Sequence, residues 1–503
     1  MPKRFFARLA AVLLAFAPAL IVMGLVAHYF HADLTAFCPA YDVDQYMYVV
    51  EARTFAAAGF SGGYYGSGGQ TARLLRFGPH GAVHALVYGG MARLLGGWDD
   101  WLVPALNMAF VSLALLCLGR RLSLGRLACL TAFFCLFPQT LLYLPLSYQE
   151  AFQYAVALLL ALGLGDYLLK AAAGVASGRD MAWALGLVFL AGLSRPTWAV
   201  LFPALLWARA RPGWPGLAIS LAGGGGLLAA TYAAFSLFAS PWHVASGPGM
   251  LQALARLDFD PLLRQAGGNL TSLLNFQDNA VNTLNLLIIV GGTGLVALVS
   301  CLGKAGARRY ALAGFHVCNV LAPLALYVIA YNGTGYQLTR LLSAHFLLSF
   351  AVFLLVTPRG SVRWAAGPIF AACLGMLPIS LKIFVIFARP AYDDYAGYAR
   401  QIDALRQEMA PALLLSKDAP SPWLRTLAVV SGDEILPSLA VPDVYGVQVY
   451  AASSLDAPMH AGFVLLDARA HALAAKANAL TRVADTAHGA LYRNDVAFGF
   501  AGK

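Results

Sequence analysis

Charge is scarce in this 503-residue chain: Asp, Glu, Lys and Arg together make up 12% of it, about half the share of a typical soluble domain. That scarcity excludes intrinsic disorder, which needs high charge and little apolar surface. It also excludes the roughly three soluble domains that the length alone would allow. Cysteine is sparse, with seven residues, too few for a disulfide scaffold. Cys117, Cys129, Cys135, Cys301, Cys318 and Cys373 fall in apolar runs, where a thiol acts as a small hydrophobe. Only Cys38 sits in a polar loop, with no evident partner. What is abundant is apolar surface: 60% of the residues are hydrophobic and the mean hydropathy is +0.67. Most of the chain belongs in lipid.

The net charge of +10 would suit a nucleic-acid partner in a soluble protein. Its distribution says otherwise. Residues 1–389 hold 25 basic and 12 acidic side chains, a net of +13, whereas residues 390–503 hold 9 and 12, a net of −3. The excess is in the apolar part, where it sets topology, and no nucleic-acid partner is expected.

A bilayer core about 30 Å thick takes roughly 20 apolar residues per helix. Spans are expected near 9–28, 101–118, 127–145, 150–169, 215–239, 283–302, 310–330, 340–357 and 364–388. The run 181–207 is interrupted by Ser194-Arg195-Pro196, and a Pro with a charge at mid-run opposes one straight span. Two short helices in a hairpin bring the count to about eleven. Lys3, Arg4, Arg8, Arg120, Arg121, Arg126, Lys170, Arg179, Arg209, Arg211, Lys304, Arg308, Arg309, Arg359 and Arg363 then fall on one side, as the positive-inside rule requires. One span over 181–207 would invert every later cluster. The N-terminus is thus expected in the cytoplasm, with Leu9–Ala27 too long for a signal-peptide core and read as a retained anchor.

The chain therefore reads as an all-α polytopic membrane protein over 1–389, with a long outer loop at about 30–100 and a small outer α/β domain over 390–503. In that domain Tyr395–Leu415 and Ala468–Ala479 read as helices, and Leu427–Ser431, Val447–Ala451 and Phe463–Leu466 as short buried strands. It carries no nucleotide-binding glycine pattern and no catalytic triad signature, so a structural or docking role is expected.

Ten of the twelve acids before residue 390 fall on the expected outer face: Asp33, Asp42, Asp44, Glu51, Asp99, Asp100, Glu150, Asp258, Asp260 and Asp278. Acids contribute little to topology, so their gathering points to a site there. The densest group is Tyr41-Asp42-Val43-Asp44-Gln45-Tyr46, at the start of a surface helix from Gln45 to Ala58. One Asp suffices to cap a helix, and two exceed that need. Such a carboxylate suits a general base towards a hydroxyl, or an oxygen ligand of a divalent cation. The same loop carries Arg76-Phe77-Gly78-Pro79-His80-Gly81, a rigid turn presenting Arg76 or His80 to the bilayer edge. Arg195 sits at the hairpin tip and Arg340 opens the tenth span. Two guanidiniums at the membrane rim suit a lipid phosphate, which they bind through paired donors. Snorkelling to headgroups is the alternative for each. Glu150, at the outer start of the fourth span, is either a second site acid or a first-turn carboxylate favoured by the helix dipole. Asp258, Asp260 and Asp278 read as solvated.

On these residues the chain resembles the GT-C superfamily of membrane glycosyltransferases, whose members include protein mannosyltransferases and lipid A aminoarabinose transferases. The likeness rests on Asp42-Val43-Asp44-Gln45-Tyr46 with Ala52 and Gly59, and on Phe77-Gly78-Pro79-His80-Gly81 leading to Leu95-Gly96. Leu193-Ser194-Arg195-Pro196, the Arg340 segment and the appended outer domain also fit. Members often carry two adjacent acids, whereas Asp44 is followed here by Gln45. The resemblance implies a polyprenyl-phosphate-sugar donor, a lipid, glycan or protein acceptor, and inverting hexosyl or pentosyl transfer in a bacterial inner membrane. Asp44 would deprotonate the acceptor, with Asp42 assisting it or binding a cation. Arg195 and Arg340 would stabilise the departing phosphate, and Arg76, His80, Glu150 and Tyr46 would contact substrate.

Two other readings share the hydropathy. A transporter or lipid flippase would place acids near the bilayer midplane and often show internal repeats, neither of which is visible here. A lipid-linked glycan polymerase or ligase would share the topology and substrate class.

Overall fold

The computed structural model describes residues 2–39, 43–61, 76–210, 213–240, 256–302, 309–330 and 335–393. Beyond these it describes 397, 400, 404, 407, 410, 427–430, 447–450, 455–456, 458–459, 461–486 and 489–498. Helix α1 (Pro2–Phe30) precedes a pair on one end of the bundle, α2 (Val43–Ala58) and α3 (Val83–Leu94). The bundle continues through α4 (Leu102–Gly119), α5 (Leu124–Leu136), α6 (Pro138–Tyr143), α7 (Glu150–Ala173), α8 (Gly178–Ser194), α9 (Phe202–Arg209) and α10 (Trp214–Ser236). It closes with α11 (Asp260–Leu274), α12 (Phe276–Leu302), α13 (Arg309–Ala330), α14 (Gly335–Val356) and α15 (Arg359–Tyr392).

Among the described residues eight helices are long and apolar enough to cross a membrane, and the chain is an integral membrane protein. The segments expected as third, fifth and sixth spans are shorter. Pro138 breaks 127–145 into α5 and α6, because it lacks the N–H that would continue the ladder. At 181–207 the chain leaves helix at Arg195, whose backbone is extended (φ −156°, ψ 111°) as the residue before a proline tends to be. Arg209 Nε donates to the Ala176 carbonyl at 3.3 Å, so α8 and α9 return to the same level, as a hairpin does.

Helix α14 is buried over most of its length, its polar Thr339, Ser343, His345 and Ser349 along with its apolar residues. Phe346 and Phe350 meet Phe133 of α5 with ring centroids 5.4 and 4.4 Å apart. On its other flank Ser343 Oγ lies 3.0 Å from the Tyr154 hydroxyl of α7. Helix α3 lies tight on α2: a Cβ added at Gly89 would stand 2.3 Å from the Ala52 carbonyl oxygen, so only glycine fits. The end of α15 is tied in by Tyr392 Oη donating to Pro145 O at 2.8 Å and by Cys38 N donating to Ala391 O at 2.9 Å.

The C-terminal part holds a five-stranded sheet in the order β2-β1-β3-β5-β4. Strands β1 (Leu427–Val430), β2 (Val447–Tyr450) and β3 (Phe463–Leu466) are parallel neighbours; β4 (Leu480–Thr486) and β5 (Gly489–Asn494) add antiparallel. Helix α16 (Ala468–Ala474) is shorter than expected, and β4 follows directly. That strand is largely solvent-facing, so it lacks the apolar run that marks a buried strand. Most of the helix expected over Tyr395–Leu415 lies outside the described residues.

Candidate active site

Asp44 stands in the first turn of α2 and Glu150 begins α7, where the positive end of a helix favours a carboxylate. Between them runs Arg340 of α14. Its Nη2 is 2.5 Å from Asp44 Oδ2 and its Nε is 3.1 Å from Glu150 Oε1. Arg195 reaches the same Glu150 oxygen through Nη2 at 2.8 Å, and its Nη2 also lies 3.4 Å from Gln149 Oε1. The Arg340 guanidinium carbon lies 5.0 Å from the centroid of the Tyr148 ring, a cation–π contact. His80 Nε2 is 3.7 Å from Asp44 Oδ1.

Asp44, His80, Gln149, Glu150, Arg195 and Arg340 share one cavity of 540 Å³ with Arg76. Beyond its charged end the walls are mostly apolar: Leu228, Tyr232 and Phe235 of α10, Pro323, Leu326 and Tyr327 of α13, and Leu341 of α14, with Thr197, Ser236 and Ser240 among them. The carboxylate of Glu150 is 1% exposed. Among the described residues neither Glu150 Oε2 nor Arg195 Nη1 has a hydrogen-bond partner. Buried charge left partly unpartnered costs stability.

The turn before α3 is built to hold His80. Gly81 has φ +81°, and a Cβ there would stand 2.3 Å from the Phe235 ring. Phe77 pairs with the end of α10: Phe77 N donates to Phe238 O at 2.8 Å, and Ser240 N donates to Phe77 O at 2.9 Å. Gly78 N donates to Glu51 Oε1 at 3.1 Å. Burial pushes the Glu51 carboxyl up to about 8, against the opposing pull of that N–H. For Asp44, burial alone would raise the carboxyl, but His80 and the Arg340 guanidinium outweigh it and hold it well below the ordinary carboxylate range.

Behind the cavity lie polar side chains buried between helices. Trp198 Nε1 donates to Gln153 Oε1 at 2.7 Å, Gln153 Nε2 donates to Ser194 Oγ at 3.3 Å, and Gln149 Nε2 donates to Ser194 O at 3.2 Å. This network fixes the residue before Arg195. A second column runs from His80 through Tyr48 (ring centroids 4.8 Å), His84 (5.0 Å) and Tyr88 (4.2 Å). Tyr88 Oη donates to Asn107 Oδ1, and Asn107 Nδ2 donates to Leu146 O at 2.8 Å. Burial and the charge of His80 push the His84 imidazole down to about 3.

The structure thus brings Asp44, Arg76, His80, Glu150, Arg195 and Arg340 to one cavity. Asp42 lies outside the described residues, as does the Tyr46 side chain. Other acids do structural work: Asp33 accepts from Thr35 N at 2.8 Å, and Asp100 accepts from Arg53 at 3.2 Å and from the Trp98 indole at 2.7 Å. Among the described residues no three His, Cys, Asp or Glu side chains gather as a metal-holding group. Sequence reasoning missed Gln153, Trp198 and Tyr148. The spacing of Gln149 and Gln153, one turn apart with Glu150 between, was the available signal, since polar residues at a span are costly unless used.

No family model and no curated protein matches this sequence. In structure the chain is similar to ArnT from Cupriavidus metallidurans bound to undecaprenyl phosphate, with 13% identity over 96% of this chain and 97% of that one (TM-score 0.44). It is similar also to the same protein in the apo state, with 12% identity over 97% and 98% (TM-score 0.45).

Proposed function

We propose that this chain is a membrane glycosyltransferase that takes a sugar from a polyprenyl-phosphate-linked donor and passes it to a lipid, glycan or protein acceptor on the outer face of the membrane. The observation that carries this reading is the cavity itself. Its charged end offers three guanidiniums against two carboxylates among the described lining residues, and its remaining walls are mostly apolar. An amphiphile with an anionic head and a hydrocarbon tail matches both halves.

In this reading the donor phosphate meets the unpartnered Nη1 of Arg195 and then competes with Asp44 and Glu150 for Arg340. Withdrawing Arg340 raises the basicity of Asp44, because the pair that holds its carboxyl low is broken. Asp44 then takes the proton of the acceptor hydroxyl or amine. The acceptor atom bonds to the anomeric carbon from the face opposite the phosphate, and the carbon–oxygen bond to phosphate breaks with its electron pair. The configuration inverts. Charge building on the departing phosphate is met by Arg195 and Arg340, the electrostatic contribution that is usually largest in such sites. Asp44 and the two arginines are the catalytic residues; Arg76 and His80 contact substrate at the rim. No step runs through a cation.

The test is transfer by the purified chain in nanodiscs, given polyprenyl-phosphate sugars from extracted membranes. Release of polyprenyl phosphate with a covalent sugar product is expected, and it is lost in D44N. Movement of lipid or solute across vesicles without any covalent product would overturn the reading in favour of a transporter.

A further inference from the structure

A groove of 700 Å³ lies away from the cavity, between the end of α1 and the last third of α15, and Tyr29, Lys382 and Arg389 line it. We propose that this groove is a binding site for one anionic phospholipid, its phosphate held by Lys382, Arg389 and the Tyr29 hydroxyl.

The two basic residues are seven apart, so they share a helix face about 10 Å apart along the axis. Tyr29 and Phe30 end α1, and the Phe30 ring lies 6.4 Å from Phe384 and 5.9 Å from Tyr392. The Tyr29 level therefore falls between Lys382 and Arg389. Leu381, Val385 and Ile386 line the groove beside them, which gives an acyl chain an apolar wall next to the basic head.

Position makes these charges unusual. Six Lys or Arg fall within the eight long apolar spans: Arg8, Lys170, Arg340, Arg363, Lys382 and Arg389. Arg8, Lys170 and Arg363 lie at the opposite helix ends, and Arg340 serves the cavity. Among the described residues of these spans, that leaves Lys382 and Arg389 exposed at the cavity end, which the Tyr392–Pro145 hydrogen bond identifies. Lys382 sits ten residues, about 15 Å, before the end of a helix about 50 Å long, within reach of headgroup level by extending its stem. Among the described residues it has no acidic partner. Arg389 Nε is 3.0 Å from Asp393 Oδ2, an exposed pair of the kind that contributes little and yields readily to a phosphate. A charge at that depth needs an anion, and the surrounding lipid supplies one.

Native mass spectrometry of the full chain in detergent, with dioleoylphosphatidylglycerol or dioleoylphosphatidylcholine as probe, tests the site. Retention of one phosphatidylglycerol per chain and no phosphatidylcholine is expected. The double variant K382A/R389A should weaken that retention about thirty-fold, the effect of two basic groups near a headgroup. K382R/R389K should retain it, and the cavity variant R340A should leave it unchanged. Should the double variant fold poorly, K382Q alone should give about a five-fold loss. Equal retention of the two lipids, or phosphatidylglycerol held equally by K382A/R389A, would overturn the proposal. Stripping of the lipid by millimolar inorganic phosphate would instead identify a free-anion site and overturn the lipid assignment.

Discussion

Arg195 and Arg340, 145 residues apart in sequence, meet on a single oxygen of Glu150, at 2.8 and 3.1 Å. That shared oxygen holds two guanidiniums side by side without an anion between them. Glu150→Gln would leave the two cations facing each other at a buried point. We expect a stability loss of about 3–5 kcal/mol, typical of breaking a buried pair, seen as a lower melting temperature, and partial recovery on adding decaprenyl phosphate. Thermal unfolding with and without that lipid measures both.

Arg340→Ala should weaken binding of decaprenyl phosphate about ten- to hundred-fold, the value of a charge-assisted hydrogen bond. Arg340→Lys should recover part of it, since an ammonium keeps the charge but loses the paired donors. Unchanged affinity in the alanine variant would remove Arg340 from phosphate binding.

Asp44→Asn separates binding from chemistry. Turnover should fall about a hundred- to ten-thousand-fold, as for loss of a general base. Affinity for decaprenyl phosphate should hold or tighten, because the carboxylate that competes for Arg340 is gone. Titration calorimetry alongside the transfer assay reads the two quantities.

Glu51 yields a pH prediction. Its carboxyl is pushed up to about 8 from an ordinary 4.5, so the folded state keeps its proton where the unfolded chain has released it. The stability this contributes is fully present below pH 4.5 and is lost as the pH rises through 8. Glu51→Gln still accepts from Gly78 N but does not titrate. The difference in melting temperature between wild type and E51Q should therefore move against the wild type across that window.

Trp198→Phe keeps an aromatic ring, though a smaller one, and removes the N–H that Gln153 accepts. Loosening Ser194 in this way should cost about five-fold in decaprenyl phosphate affinity, the worth of one ordinary hydrogen bond. Gln153→Leu should do the same, and the two together should not add, because they act through one network. A drop in melting temperature with unchanged affinity would assign Trp198 to packing alone.

Much of this was legible in the sequence. Apolar run length marked the long helices, and Pro196 marked the break that presents Arg195. Asp44, Glu150, Arg195 and Arg340 stood out because a charge at a membrane rim is expensive. That Arg340 would bridge Asp44 and Glu150 was not legible, because these residues are 106, 190 and 296 positions apart from one another and only helix packing sets their distances. Strands β4 and β5 escaped for a different reason. They pair at the sheet edge with mixed faces, and neither carries the apolar run that betrayed β1 to β3.

The two backbone hydrogen bonds between Phe77 and the residues just after α10, Phe238 and Ser240, make a lever of that helix. Its long arm, α10, is mostly lipid-facing, and Leu228, Tyr232 and Phe235 on it touch the apolar part of the cavity. Its short arm is the turn that carries His80. A hydrocarbon chain wedged along α10 would tilt the long arm and so shift the imidazole beside Asp44, letting the tail of a ligand report its presence to the polar end without touching it. Shortened prenyl chains should then slow the chemical step as well as weaken binding.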